Sequence, residues 1–456
     1  MPEEEVVTNS VNVRELVLDM LIDITKNNIP LHIATRNILQ KHQYLNKSDR
    51  AFLSRVLEGT VENMILLDYV INQFSNTKTN KMKPIIRNIL RMGVYQIKYM
   101  SNVPSSAACN ESVKIARKKG FLGLAGFVNG ILRNIDRNID KIAYPDSKKD
   151  PVSYLSITYS IPNWIVEMWI KEYGMEITEK MLLASMKERF TSIRCNTEKT
   201  TVEELKNVLE GLQVKVESGK YVEEALGISS YNYLSDLQPF KDGWFTVQDE
   251  SSMLVALSAG IKNGDKIIDV CSAPGGKSLH AAQLLRKTGY VSARDLTGNK
   301  VLRIKENIER LGMENIDAKV FDARELDEES VGTADIVIAD LPCSGLGVIG
   351  KKNDIKYKVT KESIEDLVKL QREILSVVQA YVKEKGVLIY STCTVNKKEN
   401  EENIEWFAKE YGFELESLEP YISPKLWNET TQKGYLQLIP GLVDTDGFFL
   451  ARFRKK

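Results

Sequence analysis

The sequence predicts a chain in three parts: an all-α domain over 1–140, a small α+β domain over 150–240, and an α/β domain with a parallel sheet over 241–456. Three observations predict it. Apolar residues recur at helical spacing through most of 10–140, and short alternating runs flank a helical stretch within 151–240. From 241 onward, short apolar runs alternate with amphipathic stretches. A chain of 456 residues is also too long for one ordinary core.

In the first part, Val13, Leu16, Val17, Met20, Leu21 and Ile24 share one helix face, as do Ile85, Ile86, Ile89, Leu90 and Ile97. Breaks at 27–30, 75–80 and 101–106 divide the segment into roughly five to seven helices. Residues 141–150, with Pro145 and several charges, read as a linker. Beyond it, 164–173, 177–185 and 202–209 have helical patterns, and 191–196 and 212–216 alternate like strands. Apolar runs at 267–270, 290–293, 318–321, 336–339 and 387–390 are separated by amphipathic helices such as 300–311 and 363–382. That alternation implies a parallel sheet covered on both faces. The tail, 447–453, is expected to add a strand at the end of the sheet.

Composition excludes several classes. The chain is 43% hydrophobic and 27% charged, as in soluble globular proteins. No apolar run approaches the roughly 18 residues needed to span a bilayer. The start, with Glu3, Glu4 and Glu5, lacks the basic character of a signal or transit peptide, so a cytoplasmic protein is expected. Five cysteines without a C-x-x-C pair argue against a disulfide framework or a zinc site. Three histidines, His32, His42 and His280, are too few for a multi-histidine metal centre and make a Ser-His-Asp triad hard to build. No metal is expected, and the chain is expected to act as a monomer.

Net charge is zero, with 62 basic and 62 acidic residues, but it is unevenly spread. Within 78–119, Lys78, Lys81, Lys83, Arg87, Arg91, Lys98, Lys114, Arg117, Lys118 and Lys119 face Glu111 alone. Such a stretch is either a nucleic-acid footprint or a solvated helix face.

The third part carries the chemistry. After the strand at 267–270 comes the turn Cys271-Ser272-Ala273-Pro274-Gly275-Gly276-Lys277, whose backbone N–H groups suit a polar or anionic ligand at a helix start. The P-loop pattern fails because position 271 is Cys, and no G-x-G-x-x-G is present. S-adenosylmethionine fits what remains: its carboxylate and amine at the turn, its ribose on Asp295 after the second strand, its adenine near Asp322 after the third. Asp269 would face the methionyl group. Each Asp alone has the alternative of capping a helix.

Two cysteines follow later strands: Cys343 in Asp340-Leu341-Pro342-Cys343 and Cys393 in Ser391-Thr392-Cys393-Thr394. Open α/β sheets bind ligands at that end, and two thiols there with an acid nearby suggest covalent chemistry on an electrophilic ring carbon. Cys109, Cys195 and Cys271 read as small buried hydrophobes.

These motifs, with Val247-Gln248-Asp249-Glu250-Ser251-Ser252 and the ending Asp446-Gly447-Phe448-Phe449, resemble those of the RsmB/Sun family of RNA cytosine-5 methyltransferases. The resemblance spans 241–456. The tract Arg117-Lys118-Lys119-Gly120 with 127–133 resembles the closing part of NusB-like RNA-binding domains. The chain departs from the family in its Leu296-Thr297-Gly298 run and in Ala323 after Asp322. The resemblance implies a Rossmann-like class I methyltransferase domain behind a NusB-like domain. It implies S-adenosylmethionine as cofactor and a cytosine of small-subunit ribosomal RNA as substrate.

By resemblance, Cys393 is the nucleophile on C6 and Cys343 assists release of the enzyme from the adduct. Spacing alone does not separate the two thiols. Asp340 is placed either to hydrogen-bond the pyrimidine N3 as a buried acid or to meet the cofactor. Lys277 is placed to lower a thiol pKa or to steady the base. Lys351, Lys352 and Lys356, beyond the Pro-Cys turn, read either as phosphate contacts or as a solvated loop.

Overall fold

A computed structural model describes residues 12–187 and 190–456; Glu3, Glu4 and Glu5 lie outside the described residues. The chain forms two compact units: Met1–Met186 with Ile349–Lys358, and Lys187–Val348 with Val359–Lys456.

The first unit is helical. Among the described residues, Val13–Thr25, Leu31–Lys41, Lys47–Glu62, Met64–Phe74, Pro84–Tyr99, Ser105–Lys118 and Ala125–Arg137 are α-helices. They enclose a core that includes Leu21, Leu57, Val70, Leu90 and Leu132. Local sequence sets several starts. Asn12 and Asn46 accept the N–H groups of Arg14 and Asp49, and Pro84 opens its helix where no N–H is needed. Two more helices follow, Pro151–Tyr159 and Asn163–Ser185. The second breaks at Gly174, where φ is +81°, a conformation glycine adopts without a Cβ clash.

The basic stretch is partly neutralised from within. Arg91 Nε donates to Asp68 Oδ1 at 2.7 Å in a largely buried pair. Lys118 meets Glu15 at 2.8 Å, Lys119 meets Asp19 at 2.6 Å, and Lys114 meets Glu111 at 2.7 Å. Lys78, Lys81, Lys83 and Arg117 are exposed.

Segment Ile349–Lys358 belongs to this unit because it satisfies helix ends. Pro30 offers no side-chain cap to the helix Leu31–Lys41, and Asp354 Oδ2 accepts the Leu31 N–H at 3.1 Å. Lys356 Nζ and the Tyr357 hydroxyl both donate to the Glu62 carbonyl, at 2.8 and 3.0 Å, where the helix Lys47–Glu62 ends. Neither sequence reading of Lys356 holds: it is 3% exposed and reaches neither phosphate nor solvent.

Burial pushes the Lys356 ammonium down to about 7, against the pull of Glu62. Its folded pKa lies below the ordinary 10.5, so between these values the unfolded chain binds the extra proton. Stability should therefore rise with pH across that window and level off below about 7. Denaturant unfolding at several pH values should show that Lys356→Met flattens this rise. An unchanged slope would exclude the lysine as its source.

The second unit holds two sheets. The smaller, β1 (Thr191–Cys195), β2 (Lys215–Ser218), β3 (Ala225–Ser229) and β4 (Phe245–Val247), is antiparallel in the order β2-β3-β1-β4. Leu205 and Leu209 of the helix Val202–Gly211 pack onto it with Cys195, a core hydrophobe. β2 starts later than the alternation suggests because that helix runs on to Gly211.

The larger sheet contains β5 (Lys266–Asp269), β6 (Tyr290–Asp295), β7 (Ile316–Val320), β8 (Ala334–Asp340), β9 (Val382–Thr392), β10 (Phe413–Leu415), β11 (Tyr435–Leu438) and β12 (Phe448–Lys455). Its order is β10-β12-β9-β8-β5-β6-β7, with β11 also pairing with β12. The run from β9 to β7 is parallel. Alternate residues serve the two faces: Ile267, Val291 and Ile389 pack with Leu279 and Ile304, while Ile268, Val337 and Leu388 pack with Leu375 and Phe407.

The tail strand does not end the sheet. β12 lies antiparallel to β9, and β10 and β11 pair beyond it. Residues 448–453 are buried on both faces, as an interior strand requires.

The chain runs from β5 outward to β7, then returns to β8 on the other flank of β5. The carboxyl ends of β5 and β8 therefore form the switch-point crevice where such sheets take ligands. Asp269, Asp295, Asp340 and Thr392 end β5, β6, β8 and β9.

Candidate active site

The glycine-rich turn lies between β5 and the helix Gly276–Leu284. Gly275 has φ +104° and serves as the helix N-cap, a left-handed conformation that a side chain would strain. The turn is tied to β6: Ser272 N–H donates to the Arg294 carbonyl at 2.8 Å, and Ala273 N–H to Asp295 Oδ2 at 2.9 Å. Asp295 Oδ1 accepts the Leu296 N–H at 2.8 Å and meets Lys300 at 3.0 Å. Asp295 Oδ2 thus keeps a lone pair beyond the one that Ala273 uses.

Asp269 is fully buried, and burial pushes its carboxyl up to about 7. Ser278 Oγ donates to its Oδ2 at 2.5 Å, while Oδ1 has no donor. An unmatched buried acceptor is costly unless a ligand donates to it. Asp322, just beyond β7, is gripped by Arg324, whose guanidinium approaches to 2.6 Å and holds the carboxyl low. Cys271 begins the turn, its thiol pushed up by burial and by the carboxylates around it.

The sequence-derived site residues of the later strands converge. β8 and β9 are paired with Asp340 opposite Ser391, which carries the two following turns side by side. Cys343 Sγ lies 3.3 Å from Cys393 Sγ, both partly buried. Asp340 accepts Lys277 Nζ at 2.7 Å on Oδ2 and Ser391 Oγ at 2.7 Å on Oδ1. Lys277 also lies 5.4 Å from the centre of the Phe448 ring. Burial alone would lower this ammonium, but Asp340, with Asp269 and Cys393, outweighs it and raises the lysine.

The two thiols differ. Cys343 is raised well above the ordinary thiol value, first by its hydrogen bond with Cys393, then by burial and by the charges of Cys393, Glu399 and Asp340. Either sulfur of the pair can be the donor, and Cys393 is among the groups that raise Lys277.

Several residues escaped the sequence reading. Glu399, Asn400, Ser344 and Gln371 form a buried polar cluster behind the thiols. Gly347 N–H donates to the Cys393 carbonyl at 3.1 Å, and Gly447 N–H to the Gly347 carbonyl at 2.9 Å. A Cβ on Gly447 would come within 2.6 Å of Gly347 Cα. The quoted Asp446-Gly447 pair was the available signal, and the backbone crossing explains its glycine. His280 is wholly buried, and burial holds it neutral.

A doubly wound sheet with a glycine turn at its switch point, acids at successive strand ends and two adjoining thiols defines a Rossmann-like methyltransferase. The description "16S rRNA methyltransferase RsmB/F" matches residues 256–454, "NusB family" matches 11–137, and the ferredoxin-like domain of RsmF/B-like methyltransferases matches 161–232. The chain belongs to the RsmB/F family of 16S rRNA methyltransferases. It is 36% identical over 448 residues to a probable ribosomal RNA small subunit methyltransferase B of Bacillus subtilis, covering 98% of this chain and 99% of the relative. A Synechocystis relative of the same description is 31% identical, covering 98% of this chain and all of its own length. The crystal structure of PH0851 superposes with a TM-score of 0.81 at 26% identity, covering 98% of this chain and 99% of that one. NSun6 from Pyrococcus horikoshii with SFG gives 0.58 at 25% identity, covering 64% of this chain and 98% of that one.

Proposed function

We propose that the chain transfers a methyl group from S-adenosylmethionine to C5 of a cytosine in small-subunit ribosomal RNA, through a covalent bond between Cys393 and C6. The observation that carries this reading is the 3.3 Å approach of the Cys343 and Cys393 sulfurs, on the turns that follow β8 and β9, with the Lys277–Asp340 ion pair at the end of β8.

In this reading the turn 271–277, Asp295, Asp322 and Asp340 hold the cofactor. The residues fit such a group: Asp269 Oδ1 is a buried acceptor without a donor, suited to an amine, and Asp295 Oδ2 has capacity for a ribose hydroxyl. When bound, the cofactor supplies an electrophilic methyl on a sulfonium.

The Cys393 thiolate adds to C6, and the C5=C6 electron pair moves toward N3 and O2. Both Asp340 oxygens already accept hydrogen bonds. The donor beside the ring edge is therefore the Lys277 ammonium, with Asp340 holding it in place. This charge stabilisation makes C5 nucleophilic toward the methyl group. Loss of the C5 proton to solvent water then restores the double bond and expels the Cys393 sulfur, which takes up a proton from Cys343; the Cys343 thiolate regains its proton from solvent.

The helical domain 1–140 would hold RNA through exposed cations such as Lys81, Lys83 and Arg117, with 150–240 as a platform and 241–456 as the catalytic domain. The chain would act in the cytoplasm as a monomer. Among the described residues, no helix is long and apolar enough to cross a membrane, and no group of His, Cys, Asp and Glu is arranged to hold a metal.

The test is methylation of unmodified small-subunit rRNA with labelled S-adenosylmethionine, followed by mass analysis of the nucleosides. The expected product is 5-methylcytidine; N4-methylcytidine, or no product, would overturn the reading. For the cofactor, Asp295→Asn should weaken S-adenosylmethionine binding by about 10-fold, the cost of a hydrogen bond to a charged acceptor. Calorimetry showing unchanged affinity would remove Asp295 from the ribose role.

A further inference from the structure

We propose that Glu399 and Asn400 are positioning residues that divide the two cysteines between them, Glu399 fixing the turn of Cys343 and Asn400 the turn of Cys393. This rests on the roles given to the two thiols above.

The contacts are segregated by cysteine. Glu399 Oε1 accepts the Ser344 N–H at 2.8 Å, and its Oε2 accepts Ser344 Oγ at 2.5 Å. Gln371 Nε2 donates both to Glu399 Oε1 at 3.2 Å and to the Pro342 carbonyl at 2.9 Å. Both neighbours of Cys343 are thereby tied to one carboxylate. Asn400 Oδ1 accepts Thr392 Oγ1 at 2.6 Å, and its Nδ2 donates to the Thr394 carbonyl at 3.1 Å. Both neighbours of Cys393 are thereby tied to one amide. Ser344 Oγ, 2.7 Å from Thr394 Oγ1, links the two sets.

Glu399 and Asn400 are wholly buried, so their hydrogen bonds have no competing water and losing a partner is costly. They are adjacent in sequence and immediately precede the helix Glu401–Glu410. A shift of either turn would alter the sulfur-to-sulfur approach, and misplacement by about 1 Å can cost on the order of 100-fold in rate. Glu399 also acts electrostatically, because its charge helps to keep Cys343 protonated.

The test uses the full chain with unmodified small-subunit rRNA and S-adenosylmethionine, following the SDS-stable protein–RNA adduct and methyl transfer in single turnovers. Glu399→Gln keeps the size but sets an NH2 against one pair of donors, either the Ser344 N–H with Gln371 Nε2 or Ser344 Oγ with Asn396 Nδ2. It should slow adduct breakdown by roughly 10- to 100-fold while adduct formation stays near wild type. It should also move the pH profile of breakdown downward, as Cys343 loses a neighbouring charge. Asn400→Asp keeps the Thr392 contact and removes the donor to Thr394. It should slow adduct formation by a similar factor without accumulation, and thermal melts should show both variants folded.

Equal slowing of both steps in each variant, or none in either, would overturn the proposal. If either variant fails to fold, Gln371→Leu and Thr392→Val, which remove the Gln371 tie to Pro342 and the Thr392 tie to Asn400, test the same two arms, and the same equal slowing would overturn it. Cys343→Ala is the control. If it accumulates no adduct, the assignment of thiol roles has failed and takes the proposal with it. If it accumulates adduct while Glu399→Gln does not, only the proposal has failed.

Discussion

Cys393→Ala is expected to abolish methyl transfer, a loss on the order of 10⁴-fold or more if the thiolate is the nucleophile. Cys343→Ala should instead stall after attack and leave the protein bound to RNA through sulfur. The prediction follows from the proposal that Cys343 supplies the proton to the sulfur 3.3 Å away. Removing Cys343 leaves a competent thiolate but takes away the donor for the departing sulfur. Denaturing gels of each variant incubated with RNA and S-adenosylmethionine check this directly. A stable adduct in the Cys393 variant and none in the Cys343 variant would reverse the assignment.

Gly347→Ala is expected to impair turnover by a different route. A methyl group there would collide with the Gly447 carbonyl oxygen and sit 2.9 Å from the Cys393 carbonyl. Both obstacles are backbone, and the Gly447 contact is part of the strap leading into β12. Relief would have to come from moving the Cys343 turn away from Cys393. Overpacking against fixed neighbours costs roughly 1–3 kcal/mol, and the displaced turn should lower turnover by about 100-fold or more. Thermal denaturation and single-turnover methylation measure the two parts. Near-normal values for both would show that the crossing can relax.

Much of this site is legible in the sequence because its parts are local. A short apolar run followed by Cys-Ser-Ala-Pro-Gly-Gly, or by Leu-Pro-Cys, carries its own strand, its own turn and its own exposed end. Parallel order then brings Asp269, Asp295, Asp340 and Cys393 to one edge of the sheet. Glu399 is different. It stands among Lys397, Lys398, Glu401 and Glu402, a pattern typical of a solvated helix start. Its burial depends on Ser344, fifty-five positions away.

Lys356 is illegible for the same reason, since its acceptor is the Glu62 carbonyl 294 residues earlier. The position of β12 was also hidden. Its apolar run shows that both faces are covered, but only the pairing partners reveal that β10 and β11 lie beyond it.

Ile349–Lys358 completes the helical unit from a distant part of the chain. In terms of inheritance, this makes the N-terminal part less portable than its length suggests. The helical domain of this chain, moved into a relative, would arrive without Asp354 for its second helix and without Lys356 and Tyr357 for the end of its third. A productive chimera must exchange both stretches together, so substitutions in one should constrain those accepted in the other.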